Sequence, residues 1–176
     1  MKVLVITGSA HKNGTSAHLA EKFIDGATES RHEVYRFDAA FKNVRPCIGC
    51  DKCQNGGSCA FQDDMGELNP KLLEADVVVF VSPIYYYDIN AQIKTVIDRF
   101  YANDAKLHGS KKAAIMLTMA DASEESAEGA LGSFKGMTKY LGWEPVGSVV
   151  ATNSWTLEML QKTDFPRQAY ELGKSL

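Results

Sequence analysis

Val3 to Ala20 reads VLVITGSAHKNGTSAHLA: a strand, a small polar loop and a helix, in that order. Val3 to Ile6 is an unbroken, mostly β-branched apolar run, which suits a strand buried on both faces of a parallel sheet. Gly8 to Ser16 is small and polar, after which Leu19, Ala20, Phe23, Ile24 and Ala27 recur at helical spacing. That periodicity puts Thr15 or Ser16 at the helix start, where a hydroxyl is expected to cap free N–H groups. Unpaired N–H groups and the positive end of the helix dipole make such a start an anion site. Gly26 is the expected end of the helix.

Downstream, Glu33 to Asp38 (EVYRFD) alternates and carries charge, as an edge strand does. Ala39 to Asp63 is long, irregular and not of low complexity, which marks a functional loop. Asp64 to Glu74 places Met65, Leu68 and Leu72 on one side of a short helix, against the grain of Pro70. Asp76 to Ser82 (DVVVFVS) is the strongest strand and belongs at the sheet centre. From Ala91 the face Ile93, Val96, Ile97 and Phe100 sets a helix, and Lys112 to Met119 is the next strand. Ser123 caps a further helix with Glu124 and Glu125 in its first turn, and Gly142 ends it. Glu144 to Ala151 is a fifth strand, and Phe165 to Leu172 a last helix entered through Pro166.

Five strands alternating with helices predict one α/β domain over residues 1–176, a doubly wound, five-stranded parallel sheet between two helical layers. Right-handed crossovers bring the strand carboxyl ends to one edge, and ligands bind there, where strand order reverses. The loops on that edge are Gly8 to Ser16, Ser82 to Asn90 and Thr118 to Ser123.

An apolar fraction of 45%, a charged fraction of 23% and a net charge of -3 describe an ordinary globule and argue against non-specific nucleic-acid binding. No apolar run approaches a membrane span. The chain enters strand pattern at Lys2 with no secretory signal, so a cytoplasmic location is expected. In that reducing setting four clustered cysteines read as metal ligands or thiols, not disulfides.

The first loop, GSAHKNGTS, lacks the three spaced glycines of a dinucleotide site and the Gly-Lys pair of a P-loop. It offers the hydroxyls of Ser9, Thr15 and Ser16, N–H groups freed by Gly14, Asn13, and His11 as a cation. This array suits a terminal monophosphate, and the plainer reading is a polar loop with an ordinary cap. The second loop, SPIYYYDIN, offers Pro83, Ile84, Tyr85, Tyr86 and Tyr87, whose aromatic rings can cover a flat ring or pack a dimer contact. Cys47, Cys50, Cys53 and Cys59 stand as C-x2-C-x2-C-x5-C, with Gly49, Gly56 and Gly57 freeing the backbone to wrap one small centre. An iron-sulfur cluster, free or oxidised thiols, and a four-thiolate zinc site all fit that spacing.

Together these segments resemble the NADPH-dependent FMN reductase superfamily, whose fold is flavodoxin-like. Gly8 to Ala20, GSAHKNGTSAHLA, is similar to the family's G-S-P-R-K-N-G-N-T-A-K-L-A. Ser82 to Phe100, SPIYYYDINAQIKTVIDRF, resembles S-P-I-Y-x-x-x-x-x-A-Q-x-K-x-x-I-D-R, and the tail AYELGKSL also resembles the family's end. The resemblance implies that Ser9, His11, Thr15 and Ser16 hold the FMN phosphate, with Asn13 in the same loop, and that Pro83 to Tyr87 meet the flavin ring. His11 stands where the family has Arg, without the bidentate fork, and Thr15 where it has Asn. By topology the third loop approaches the ring's pyrimidine end, with Ala120 and Asp121 nearest.

The implied activity is hydride transfer from NADH or NADPH to the flavin, then electron delivery to a quinone, nitro or azo compound, a second flavin or an iron-sulfur centre. The cysteine spacing followed by Asp-Asp-Met resembles the iron-sulfur flavoprotein branch, in which the four cysteines ligate a 4Fe-4S cluster. That branch suggests an alternative role as an electron carrier between redox proteins. The family's habit further implies a homodimer or a dimer of dimers.

Overall fold

In the computed structural model, which describes residues 1–176, Lys2–Thr7 forms β1, Thr15–Glu29 α1 and Glu33–Asp38 β2. A 3-10 turn at Ala39–Phe41 opens the irregular cysteine segment, which ends at α2 (Met65–Glu74). Then come β3 (Val77–Tyr85), β4 (Asp88–Ile89), α3 (Ala91–Asp98), a 3-10 turn at Arg99–Asn103 and α4 (Asp104–Leu107). The rest is β5 (Lys112–Thr118), a 3-10 turn at Glu124–Ala127, α5 (Glu128–Leu141), β6 (Glu144–Ala151), α6 (Leu157–Gln161) and α7 (Phe165–Lys174).

Five strands pair in parallel in the order β2-β1-β3-β5-β6, and β4 is a two-residue antiparallel return on β3. The doubly wound, flavodoxin-like arrangement expected from the sequence is thus present, with β2 at an edge and β3 in the centre. Alternation along the strands assigns the two cores. Val3, Val5, Val77, Val79, Val81, Ala114 and Met116 face α1, α6 and α7; Leu4, Ile6, Val78, Phe80, Ile115 and Leu117 face α2, α3 and α5. Burying each Val, Leu, Ile or Phe contributes roughly 1.5–3 kcal/mol. No helix is long and apolar enough to cross a membrane.

Gly26 does not end α1, which runs on to Glu29. It is a close-approach residue instead: a Cβ there would sit 2.1 Å from the Tyr170 carbonyl oxygen. Gly173 does the same for α7, where a Cβ would sit 2.1 Å from the Phe23 carbonyl oxygen. The two helices therefore cross backbone to backbone, and a helix-ending signal and a helix-crossing signal are the same letter. Pro70 lies inside α2, where its missing N–H frees the Gly66 carbonyl, and both residues are exposed so that water can replace the bond. Gly142 ends α5 at φ 71°, as expected, but Ser123, accepting the Glu125 N–H at 3.3 Å, caps the 3-10 turn at Glu124–Ala127 and not α5, which starts at Glu128 with no side-chain cap. The short α4 and α6 give no helical period to read.

Candidate functional site

A cleft of about 600 Å³ opens at the carboxyl ends of β1, β3 and β5, where strand order reverses. One end is the loop from Ser9 to Ser16, one wall is Pro83, Ile84 and Tyr85, and the back is Thr118, Met119 and Ala120. Ser154, Trp155 and Leu157, after β6, complete the lining. Of the candidate cofactor contacts, Ser9, His11, Asn13, Thr15, Ser16, Pro83, Ile84, Tyr85 and Ala120 line this one cleft.

The first loop folds on itself, the Ser9 hydroxyl accepting the His11 N–H at 3.1 Å and the His11 carbonyl accepting the Gly14 N–H at 3.1 Å. Gly14 is required there, because a Cβ would lie 2.9 Å from that of His11. The expected cap is absent. Gly14, with extended φ and ψ of -87° and -179°, occupies the N-cap, and no side chain caps α1. Thr15 is already the first helical residue, so its hydroxyl is past the capping position. The N–H groups of Thr15, Ser16 and Ala17 have no acceptor in the chain. The Ser16 hydroxyl, 1% exposed, shares a hydrogen bond of 2.7 Å with Thr118 and locks the helix start to the end of β5. No acidic side chain lies in the first turn. Lys12 supplies a cation at this end beside His11, lining the cleft with its Nζ 4.9 Å from the centre of the Phe41 ring.

β3 runs three residues beyond the expected Ser82, through Pro83 to Tyr85, before turning back into β4. The turn residues Tyr86 and Tyr87 both adopt left-handed backbones, at φ 49° and 66°. Such two-residue hairpins favour Asn-Gly, since a side chain in that region costs about 1–2 kcal/mol. Tyr86 and Tyr87, expected at the flavin ring, are 99% and 67% exposed and are not among the residues that line the cleft. Gly129 lets α5 support this turn, since a Cβ there would meet the Tyr87 carbonyl oxygen at 2.3 Å.

Asn90, 2% exposed, ties the first two loops together. Its side-chain amide donates to the Gly8 carbonyl at 2.5 Å, and its N–H donates to the Ser82 hydroxyl at 3.0 Å. A Cβ on Gly8 would lie 2.1 Å from the Asn90 amide oxygen, so that glycine is part of the same joint.

Asp121 also does not line the cleft. Its carboxylate accepts the Ser126 hydroxyl at 2.5 Å and the Ser123 N–H at 3.1 Å, and these donors hold it below the usual carboxylate range. Its task is to shape its own loop, whose carbonyl accepts the Asn153 N–H at 2.7 Å. Lys12, Thr118, Met119, Ser154, Trp155 and Leu157 line the cleft although no sequence motif marks them as contacts. The one signal for the last three was positional, since they follow the carboxyl end of the final strand.

The four cysteines are free, Cys47 and Cys50 exposed, Cys53 and Cys59 half-buried. They line one small hollow together with Phe61, Arg99 and Tyr101. Left-handed Gly49, Asp51 and Gly56 turn the segment, and Asp51 accepts the Tyr101 hydroxyl at 2.9 Å. No three His, Cys, Asp or Glu side chains converge closely enough to hold one metal ion.

The profile of the NADPH-dependent FMN reductase family matches residues 1–156. An iron-sulfur flavoprotein of Archaeoglobus fulgidus is 32% identical over 152 residues, covering 85% of this chain and 68% of that one. One from Methanocaldococcus jannaschii is 35% identical over 99 residues, covering 56% of this chain and 51% of that one. The chain thus spans from about half to two thirds of the length of these relatives. Among solved structures, an NAD(P)H:quinone oxidoreductase from Methanothermobacter marburgensis superposes with a TM-score of 0.74 at 19% identity, covering 99% and 95% of the two chains. That likeness is one of fold.

Proposed function

The chain belongs to the NADPH-dependent FMN reductase family, on its iron-sulfur flavoprotein branch, and we propose that it is an FMN-dependent NAD(P)H oxidoreductase. In this reading electrons pass from a nicotinamide, by way of FMN, to a quinone, flavin, nitro or azo compound or an iron-sulfur centre. The carrying observation is the cleft at the strand-order reversal, lined by the polar first loop with its uncapped helix start and by Pro83, Ile84 and Tyr85. Ser9, Thr15 and Ser16, with the free N–H groups of α1, bind the phosphate, and His11 and Lys12 add positive charge. Pro83 and Ile84 set the plane of the ring site, and Asn90 holds that wall against the phosphate loop. Bound FMN would supply hydride acceptance and release of electrons singly or in pairs.

The cysteine hollow favours a second reading, an electron carrier that serves redox proteins through a 4Fe-4S cluster on Cys47, Cys50, Cys53 and Cys59. Four soft thiolates are the donor set for such a centre. Free cysteines also suit the reducing cytoplasm. Assembly as a homodimer or a dimer of dimers is part of the proposal, and light scattering reads it directly.

Anaerobic purification followed by absorption spectroscopy and iron, sulfide and zinc analysis tests both cofactors. Steady NAD(P)H oxidation with a quinone or flavin supports the enzyme. Flavin reduction only by a ferredoxin-like donor would replace it with the carrier, and a colourless protein that ignores added FMN would remove both.

A further inference from the structure

Trp155 lines the same cleft as Tyr85 and is 76% exposed. Leaving an indole in water is unfavourable, and a loose loop would explain it without any function. The loop is not loose. Asn153, left-handed at φ 49°, donates its N–H to the Asp121 carbonyl at 2.7 Å, and Ser154 donates its N–H to the Met119 carbonyl at 2.8 Å. Ser154 is 2% exposed, with its hydroxyl on the Thr152 carbonyl at 2.9 Å. On the other side Thr156 caps α6 by accepting the Met159 N–H at 3.2 Å. The other tryptophan, Trp143, is the contrast: it is 3% exposed and donates its ring N–H to the Leu107 carbonyl at 2.7 Å.

An exposed aromatic ring between anchored neighbours is preorganised for contact, because it loses little freedom on binding. The chemistry around it is specific in one respect. Away from the phosphate loop every cleft residue is uncharged: Pro83 to Tyr85, Thr118 to Ala120, Ser154, Trp155 and Leu157. Tyr85, in the same lining, is itself 50% exposed. An indole between anchored neighbours and a second exposed aromatic ring, in a lining that is otherwise uncharged away from the phosphate loop, suit a flat, uncharged ring.

We propose that Trp155 is a specificity-determining residue that stacks on a planar aromatic electron acceptor and selects such acceptors over compact inorganic ones. The inference rests on reading the cleft as a flavin oxidoreductase site. One aromatic stack corresponds to roughly a tenfold change in affinity.

The test uses the full chain loaded with FMN, as wild type, Trp155→Ala and Trp155→Phe. Equilibrium binding of menadione is measured by calorimetry, and KM and kcat are measured with menadione and with ferricyanide. The expected result is that Trp155→Ala raises the Kd and KM for menadione about tenfold. Trp155→Phe should recover most of the loss, ferricyanide kinetics should stay within about twofold, and FMN affinity should not move. Equal effects on the two acceptors overturn the inference, as does unchanged menadione binding or none in the wild type. Loss of FMN affinity in Trp155→Ala would also overturn it by making the indole part of the flavin site. A wild type that binds menadione through Trp155 but oxidises no NAD(P)H would refute the proposed activity and leave this assignment standing.

Discussion

Arg99 and Asp63 form a two-bonded ion pair, at 2.6 and 3.1 Å, with side chains 3% and 1% exposed. The pair joins the end of α3 to the cysteine segment. Arg99 also donates to the Arg45 carbonyl at 2.8 Å and to the Cys59 sulfur at 3.3 Å, while its Nε has no partner. Burial pushes the Asp63 carboxyl up, but Arg99 and the N–H groups of Arg45 and Met65 outweigh it and hold the group below its usual value. Burial pushes Arg99 down, and Asp63 and Cys59 more than restore it.

Breaking a buried pair by removing one partner costs about 3–5 kcal/mol, so Asp63→Asn and Arg99→Met should each unfold at clearly lower urea concentration at pH 7. The sign with pH follows from the lowered carboxyl. Its contribution is complete above the unfolded value of about 3.9 and is lost as pH falls through the still lower folded value. Wild-type stability should therefore drop below about pH 4, and Asp63→Asn should lose part of that drop. Identical acid slopes for the two proteins would show that the pair does not hold its charge as described.

Gly26→Ala should destabilise the fold by about 1–3 kcal/mol, since its Cβ would press on the Tyr170 carbonyl. Gly132 and Gly136 of α5 are different: an added methyl would meet nothing within 4 Å at either position. Alanine at either should stabilise by roughly 0.5–1 kcal/mol through helix propensity alone. Thermal melts of the three variants compare the same substitution in two settings. A gain in Gly26→Ala would mean that the crossing of α1 and α7 is looser than the backbone distances say.

The hairpin turn stores strain at Tyr86 and Tyr87. Replacing them by Asn and Gly should raise stability by about 1–2 kcal/mol, because those residues accept left-handed backbones. Both rings lie outside the cleft, so FMN affinity should change little. A melt that falls, or flavin that is lost, would place the two rings in a binding role.

Lys12→Gln and His11→Gln should each weaken FMN by about threefold, the scale of an exposed ionic contact. Riboflavin, which lacks the phosphate, is the control: its affinity should be the same in both variants and the wild type. Equal losses for the two flavins would put these side chains at the ring end of the cleft.

Much of the fold was legible because its signals are local. The apolar runs Val3 to Ile6 and Val77 to Val81, the helical spacing from Leu19 to Ala27, and the glycine after α5 each state their element within a few residues. The order of elements then leaves little freedom, since right-handed crossovers bring three strand ends to one edge. Nine of the twelve candidate cofactor contacts meet there for that reason. What the sequence misled on depended on partners far along the chain. Gly26 is a crossing residue only because Tyr170 lies over it, and Gly129 is a close-approach residue only because the Tyr87 carbonyl of the hairpin turn packs against α5.

By itself, then, the sequence determined the alternation of strands and helices, the polar loop at the end of β1 and the grouping of four thiols in one segment. Only the tertiary structure decided that the start of α1 is uncapped, that Trp155 and Tyr85 line one cleft, and that a buried guanidinium reaches Cys59. Periodicity and turn chemistry act between neighbours in the chain, whereas these contacts arise between segments that meet only when the sheet has brought its loops to a common edge.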